Sequence, residues 1–275
     1  KSTLTGAVLL DASRVTLTSD ARPTLSSTLG MTTGTDQVVR FGPLATVVGA
    51  VTMSSNNSSL YLGSTSDMGG IVTLSGNGCS LICENGCDLD GIVVSGDYAI
   101  VDGGGQDSLI NGTTGNHAIE LDTADYCIIK NIALQTNAGG GQDYDCLLLD
   151  TGSDYANVSA VKFVQSDRFY IYDGGQFTDV HHCEFIGTCD SDGVSIVGTR
   201  SRYIGNHVGG NVTGNTFICE AGGDLSLFIG NFIEDTGNNF NLTADAENCL
   251  VVGNLHEGGL IDNSGTSTTG NNEAF

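Results

Sequence analysis

The chain of 275 residues contains no tryptophan, two prolines and only nine lysine and arginine residues. Both prolines, Pro23 and Pro43, lie near the start, so none interrupts the later part of the chain. No apolar stretch is long enough to cross a bilayer, and we therefore expect no membrane span. No long amphipathic helical pattern occurs either, so the core is expected to consist of short strands.

The scarcity of positive charge restricts the possible partners. Nine lysine and arginine residues against 32 aspartate and glutamate residues give a formal net charge of −23. Because phosphate binding requires a basic stripe, nucleic acid is not an expected partner. We expect no cofactor, although Ca²⁺ bound at Asp-rich turns remains an alternative whose ligands the sequence does not identify.

The nine cysteines cannot all pair within one chain, because their number is odd. Some of them, such as Cys127 and Cys183, flank or enter apolar runs, where cysteine behaves as a small buried hydrophobe. Cys79, Cys83 and Cys87 are close enough in sequence for a disulfide, but no histidine follows them at zinc-finger spacing. The pattern favours structural thiols over a disulfide or a metal site.

A recurring unit dominates the rest of the chain. Each of six segments combines an apolar run, a small or polar residue that is often Asn, and a further apolar pair. The markers of these segments are Asn131, Ala160, His182, Asn206, Asn231 and Asn254. Their spacings of 29, 22, 24, 25 and 23 residues are typical of a solenoid in which each repeat is one coil. Because the runs are short and rich in Val, Ile and Phe, each coil should consist of strands.

We predict an all-β parallel β-helix with three parts. Residues 1–65 lack the coil period and are expected to form a β-rich N-terminal cap or attachment region, since the open end of a solenoid must be covered. Residues 66–261 are expected to form the β-helix itself, with roughly eight coils. Residues 262–275 form a polar C-terminal tail.

Alternation along the strands predicts which side chains point inward. The expected interior residues are Ile132, Leu134, Val161, Phe163, Cys183 and Phe185. Ala133, Lys162 and Glu184 should be exposed between them, and Leu148 and Ile233 are apolar residues expected to point outward. The Asn markers should take left-handed backbone geometry at corners and hydrogen bond to one another along the rod.

Counting back from the markers gives a column of polar residues. It consists of His117, Asp145, Arg168 and Asp192. If the coils keep register, these side chains stack with about 4.8 Å between neighbours. Such a row suits a saccharide, and these four are the candidate ligand-binding residues. The sequence alone favours the alternative that they form a charge ladder satisfying an exposed edge.

Two segments are similar to the catalytic motifs of polygalacturonase-type glycosidases. Residues 189–196 resemble the Asn-Thr-Asp-Gly segment of that family, and residues 222–224 lie where it has Gly-Asp-Asp. The candidate catalytic residues are Asp190, Asp192 and Asp224. Such enzymes use one carboxyl group as acid and one as base. Leu225 replaces the second Asp, and the Arg-Ile-Lys of the family has no counterpart, so we predict no efficient glycosidase activity.

The coil pattern over residues 70–260, with its Val-Asp-Gly-Gly-Gly and Gly-Asn-x-Phe segments, resembles the pectin-lyase-like right-handed β-helix superfamily. Within that superfamily it is most similar to tailspikes, fibres and decoration proteins of tailed viruses. The resemblance implies a right-handed helix, a homotrimer, and a place on the virion surface or outside the cell. It also implies that the shaft binds a host-surface glycan or receptor, and that the N-terminal region contacts other virion proteins.

Two alternatives remain. One is a polysaccharide lyase or hydrolase of the β-helix class, and the other is a cellular surface protein with a β-helical domain. A pectate-type lyase would need an Asp cluster that binds Ca²⁺ and an arginine base. Arg168, Arg200 or Arg202 could act as that base, but no motif distinguishes among them.

Overall fold

Short alternating strands build a parallel β-helix. The computed structural model describes residues 3–112, 116–136, 144–234, 238–243, 245–257, 261–263 and 267–274. Within these residues the chain forms three long sheets of 13, 12 and 12 strands and one sheet of two strands. Every coil visits sheet 1, sheet 2 and sheet 3 in that order, and all pairing between coils is parallel. None of the described residues belongs to a helix long and apolar enough to traverse a membrane.

The strands are two to five residues long. Sheet 1 consists of Thr3–Leu4, Thr24–Leu25, Thr46–Val47, Asp67–Met68, Asp88–Leu89, Leu109–Gly112, Ala133–Thr136, Lys162–Gln165, Glu184–Phe185, His207–Val208, Phe232–Ile233, Leu255–His256 and Glu273–Ala274. Sheet 2 consists of Val8–Leu10, Leu29–Met31, Val51–Met53, Val72–Leu74, Ile92–Val94, Ile119–Leu121, Leu147–Leu149, Ile171–Asp173, Val194–Ile196, Asn215–Cys219, Asn238–Leu242 and Ile261–Asn263. Sheet 3 consists of Thr16–Thr18, Val38–Phe41, Ser59–Leu62, Ser80–Cys83, Ile100–Asp102, Ile128–Lys130, Asn157–Ser159, Asp179–His181, Arg202–Ile204, Leu227–Ile229, Leu250–Val252 and Thr268–Gly270. The two-stranded sheet pairs Thr188–Cys189 with Asn211–Val212.

The coils begin at the start of the described chain and not after residue 65. Thr3 pairs with Thr24 in sheet 1, and Thr16 pairs with Val38 in sheet 3. At the other end, Thr268 pairs with Leu250, so the polar tail also joins the sheets. Sheets 2 and 3 have twelve strands each within the described residues, which gives twelve coils in all. Eight of the sheet 3 strands lie within residues 66–261, in agreement with the roughly eight coils expected there. The sequence concealed the early coils because their strands are short and rich in Thr and Ser and lack the Asn marker.

The predicted interior is confirmed. All six of the residues expected inside are at most 1% exposed, and the rings of Phe163 and Phe185 stack with centroids 4.6 Å apart. Lys162 and Glu184 are half-buried. The expected exposure of Ala133 is wrong, because this residue is buried. Ala133 pairs with Leu109 on one side and Lys162 on the other, and these longer side chains shield its methyl group.

Along the rod, the left-handed corner position moves from the marker residue to the glycine that precedes the marker Asn. Asn131, Ala160 and His182 have φ of 54°, 52° and 54°, the left-handed geometry expected at this corner. In the next three coils the same conformation is adopted by Gly205, Gly230 and Gly253, with φ of 62°, 62° and 65°. The shift turns the Asn that follows each of these glycines inward. It also corrects the prediction for Ile233, which is fully buried.

The asparagine ladder is confirmed, but it lies inside the rod. The backbone N–H and the Nδ2 of Asn206 donate to Oδ1 of Asn231 at 3.0 and 3.1 Å. Asn231 donates in the same way to Asn254, at 2.9 Å for both bonds, and Asn254 donates to Asn272 at 3.0 Å for both. Because buried amides must be paired, this repetition fixes the register of the last coils.

All nine cysteines are free and buried. This agrees with the structural role expected for them, and Cys79, Cys83 and Cys87 form no disulfide. Burial raises the pKa of Cys127 to about 11 and that of Cys183 to about 12, which keeps these thiols protonated and unreactive.

Candidate functional site

The polar column predicted from the sequence lies at the corner between sheet 1 and sheet 2. Each of its four members precedes a strand of sheet 2 by two or three residues. Since the strands pair in parallel, equivalent positions in successive coils are stacked above one another. The structure brings three of the four, His117, Asp145 and Arg168, into direct contact.

Asp145 is a fully buried carboxylate at the centre of this group. Its Oδ1 accepts a hydrogen bond from Nε of Arg168 at 2.9 Å and another from the backbone N–H of Phe169 at 3.1 Å. Its Oδ2 lies 2.5 Å from Nη2 of Arg168, which completes a bidentate pair. A buried charge is costly unless it is paired, so Asp145 holds the guanidinium of Arg168 in one orientation.

His117 is neutral and carries its proton on Nε2. Its Nδ1 accepts the backbone N–H of Asp145 at 2.9 Å, which requires a free lone pair on that nitrogen. Burial lowers the pKa of His117, against the smaller opposing influence of the carboxylates of Asp145 and Glu120. The His117 side chain is 16% exposed, and Nε2–H is the hydrogen-bond donor of the ring.

Aromatic rings surround the fixed guanidinium. The central carbon of Arg168 lies 4.8 Å from the ring centroid of Phe169 and 5.4 Å from that of Tyr172. Tyr144 contacts the ring of His117 edge-on, with centroids 5.6 Å apart. Burial raises the pKa of Tyr172, so its hydroxyl group remains protonated. We call the following residues the sheet 2 site: His117, Tyr144, Asp145, Arg168, Phe169 and Tyr172.

Asp192 is the fourth member of the column, but its carboxylate bonds to the following coil. Its Oδ1 accepts hydrogen bonds from the backbone N–H of Asn215 at 2.6 Å and from Nδ2 of the same residue at 2.7 Å. The Asp192 carboxylate therefore caps the turn before the next strand of sheet 2. A role for Asp192 in ligand binding stays a hypothesis.

Two of the three candidate catalytic carboxylates, Asp192 and Asp224, lie at opposite ends of adjacent strands of sheet 2. Asp190 is exposed, and Asp192 lies before a strand of sheet 2. Asp224 follows the next strand of that sheet, in the turn to sheet 3, where its Oδ1 accepts the backbone N–H of Glu247 at 2.7 Å. Asp192 and Asp224 are separated by a sheet 2 strand and the residues that flank it, a distance of roughly 15 Å or more. In hydrolysis by an acid and a base, the two carboxyl groups must lie about 6.5–9.5 Å apart.

No group of three or more His, Cys, Asp or Glu side chains in the described part of the chain is arranged to hold a metal ion. The sequence did not reveal Tyr144, Phe169 and Tyr172 as members of the site. A signal for two of them was present, because Tyr144 immediately precedes Asp145 and Phe169 immediately follows Arg168. An aromatic residue beside a polar member of a stacked column marks a surface with both ring contacts and hydrogen bonds.

No family model matches this chain, and no curated protein matches it. Among solved structures, an alginate lyase from Paenibacillus sp. strain FPU-7 is similar, with 17% identity, a TM-score of 0.56, and coverage of 98% of this chain and 92% of that one. The Dettilon tailspike protein is similar with 12% identity and a TM-score of 0.52, over 99% of this chain and 61% of the tailspike chain. At these identities the likeness shows the fold alone, a parallel β-helix.

Proposed function

We propose that this chain is a β-helical surface protein that binds a glycan at the sheet 2 site and does not cleave it efficiently. The observation that carries the proposal is the fixed guanidinium of Arg168, which a buried carboxylate holds beside two aromatic rings. A guanidinium is a planar group of hydrogen-bond donors, which suits the oxygens of a sugar. The rings of Phe169 and Tyr172 offer an apolar surface to the C–H face of a sugar, as binding sites that combine rings with a few polar groups do.

The same geometry disfavours cleavage. Both oxygens of Asp145 bond to Arg168, so this carboxyl group is not available as an acid or a base. Nδ1 of His117 is occupied by a backbone N–H, and the raised pKa of Tyr172 opposes its ionisation. General acid–base catalysis requires a group that can exchange a proton with the substrate near neutral pH.

The binding proposal can be tested with a panel of host-surface and pectin-type glycans, with and without Ca²⁺. Tyr172→Ala removes a ring at the surface of the site and should weaken binding of a glycan held at the sheet 2 site by about tenfold. Tyr61→Ala is the matched control, because Tyr61 also lies under an arginine, Arg40 at 3.7 Å, but on sheet 3. Equal binding by the two variants, or no binding to any glycan by the wild type, would overturn the proposal.

We further propose a homotrimer on a virion surface, with residues 1–65 contacting other virion proteins. The tailspike likeness supports this setting through the fold. Ile233, one of the apolar residues expected to be outward, is buried, while Leu148 is half-buried. Leu250 and Leu255, 36% and 37% exposed, supply apolar surface that a neighbouring subunit would cover. Sedimentation should show a species of three times 28.3 kDa, and a species of 28.3 kDa alone would contradict the trimer.

A polysaccharide lyase is the second candidate. The observation in its favour is that Arg168 and Tyr172 lie together, since an arginine can neutralise the carboxylate of a uronic acid while a tyrosine transfers a proton. Such an enzyme would release products with a double bond, which absorb in the ultraviolet. If the wild type released them and Tyr172→Phe did not, the lyase would replace the binding protein as the better account.

A further inference from the structure

The corner between sheet 2 and sheet 3 carries a stack of exposed aromatic rings. Tyr98, Tyr126, Tyr155 and Phe177 follow one another in four successive coils, with centroids 5.1, 4.7 and 4.8 Å apart and planes within 5° of parallel. All four have φ between 57° and 60°, so the turns are alike and the side chains align. Arg200 occupies the next position, with its guanidinium 5.2 Å from the centroid of Phe177. We call these five residues the aromatic corner.

These four residues are between 37% and 59% exposed, although the faces of their rings pack against one another. A ligand would therefore meet ring edges and three tyrosine hydroxyl groups. Stacking of this kind contributes about 0.5–1.5 kcal/mol for each pair, so it stabilises the turns. Stacking alone leaves the exposure of a continuous apolar line unexplained, and such lines on a soluble protein mark sites of interaction.

A second column runs beside the aromatic corner on sheet 3. Asn157, Asp179 and Arg202 are neighbours in register on successive strands. A shallow cavity of about 360 Å³ lies between this column and the rings, and Ala156 belongs to its lining. Three coils extend over about 14 Å along the rod, so the cavity offers an elongated surface.

The charges along this corner are unevenly distributed. The residues that precede the three tyrosines are Asp97, Asp125 and Asp154, whereas the neutral Gln176 and Thr199 precede Phe177 and Arg200. Oδ1 of Asp125 accepts the backbone N–H of Asp154 at 2.8 Å, and Oδ1 of Asp154 accepts that of Gln176 at 2.9 Å. Oδ2 of each carboxylate can still accept a hydrogen bond from a sugar hydroxyl group. The tyrosine end is therefore acidic and rich in acceptors.

The other end of the corner carries two arginines, Arg200 and Arg202. Arg202 forms an ion pair with Asp179. Arg200 makes no ion pair with any of the described residues, and one of its faces packs on Phe177. An arginine that stacks on a ring and retains free N–H donors is suited to a carboxylate. Screening limits the influence of charges farther away than about 8 Å, so Arg200 can attract a carboxylate despite the net charge of −23.

We propose that the aromatic corner binds an oligosaccharide that ends in one carboxylated sugar. Its carboxylate lies at Arg200 and Arg202, and neutral sugars lie along Tyr155 and Tyr126, where their hydroxyl groups donate to Asp154 and Asp125. A chain with a carboxylate on every sugar is excluded, because Asp125 and Asp154 would repel it. The surface is separate from the sheet 2 site, since the strands of sheet 2 lie between the two corners.

Three probes test this proposal by titration at physiological ionic strength: sialyllactose, lactose and tetragalacturonate. Sialyllactose ends in one carboxylated sugar, and it should bind at least about tenfold more tightly than either of the others. Arg200→Gln should weaken sialyllactose binding about tenfold, and Tyr155→Ala should weaken it as well. Arg14→Gln should have no effect, because Arg14 occupies the same corner position near the N-terminal end, with φ of 59° and an 86% exposed side chain.

Four results would overturn the proposal. They are absence of sialyllactose binding, equal binding of lactose, tighter binding of tetragalacturonate, and insensitivity to Arg200→Gln. Tyr172→Ala separates the two surfaces, because it should leave sialyllactose binding unchanged. If Tyr172→Ala abolished that binding and Arg200→Gln did not, the ligand would belong to the sheet 2 site.

Discussion

Among single residues, Asp145 has the largest influence on the sheet 2 site, because it holds the neighbouring side chains in place. Its carboxylate is fully buried, and its bonds to Arg168 and Phe169 fix the residues that a ligand would touch. The sequence placed Asp145 in a polar column because parallel coils stack equivalent positions. It could not show that the side chain turns inward while its neighbours remain at the surface, since this depends on packing between coils.

Asp145→Asn should strongly destabilise the protein. The change removes the negative charge that pairs with Arg168, and breaking a buried pair costs about 3 kcal/mol or more. Asp36→Asn is the control, because Asp36 lies 4.0 Å from Arg14 in an exposed pair that contributes at most about 1 kcal/mol. Urea denaturation measures both. Equal losses in the two variants would show that Asp145 is not the buried centre of the site.

His117 should make stability depend on pH. Burial lowers its pKa in the folded protein, whereas the unfolded chain has the ordinary value of about 6.5. The unfolded state therefore takes up the proton first, and the contribution of His117 to stability is lost as the pH falls below about 6.5. The free energy of unfolding should decrease more steeply between about pH 7 and pH 5 in the wild type than in His117→Gln. Parallel curves for the two proteins would contradict this reading.

The individual strands were predictable wherever apolar and polar residues alternate. Which residue occupies the left-handed corner position of each coil was not predictable. The sequence aligned Asn206 with His182, but Gly205 is the residue that occupies the equivalent left-handed position. Glycine adopts this conformation without strain, so it takes the corner whenever it precedes the Asn. A shift of one residue exchanges the inside and the outside of a strand, which explains why Ile233 was assigned to the wrong face.

Phe163 and Lys162 test the register of sheet 1. Phe163 is fully buried and stacks on Phe185, so Phe163→Asp should abolish folding. Lys162→Asp should be nearly silent, with a loss of at most about 1 kcal/mol from the repulsion of Glu184 on the adjacent strand. Circular dichroism and thermal unfolding distinguish the outcomes. Greater damage from Lys162→Asp would mean that the register is wrong.

Asn231 tests the buried ladder. Asn231→Ala removes the oxygen that accepts two hydrogen bonds from Asn206 and leaves those donors buried without a partner. The expected loss is about 2–3 kcal/mol. Asn131→Ala should cost less, because the side chain of Asn131 donates one bond, at 3.1 Å, to the partly exposed Asp102. If the two variants were equally stable in urea, the ladder would not contribute as the structure indicates.

The whole molecule is an acidic rod in which Arg168 and Arg200 lie at different corners. Arg168 lies between sheets 1 and 2, and Arg200 lies between sheets 2 and 3. The sequence revealed the rod through its period but missed the coils before residue 66, because their Thr- and Ser-rich strands carry no marker. It also missed the aromatic corner, since Tyr98, Tyr126 and Tyr155 are isolated exposed residues until the coils align them.

A turnover assay is the most direct test of the claim that this protein binds glycans without cleaving them efficiently. The protein is incubated with host-surface and pectin-type polysaccharides, with and without Ca²⁺, and bound glycan, new reducing ends and unsaturated products are measured in each sample. We predict bound glycan with no turnover, because Asp192 and Asp224 lie at opposite ends of the sheet 2 strands and Asp145 is engaged by Arg168. Robust turnover that is lost in both Asp192→Asn and Asp224→Asn would contradict the account and identify an enzyme.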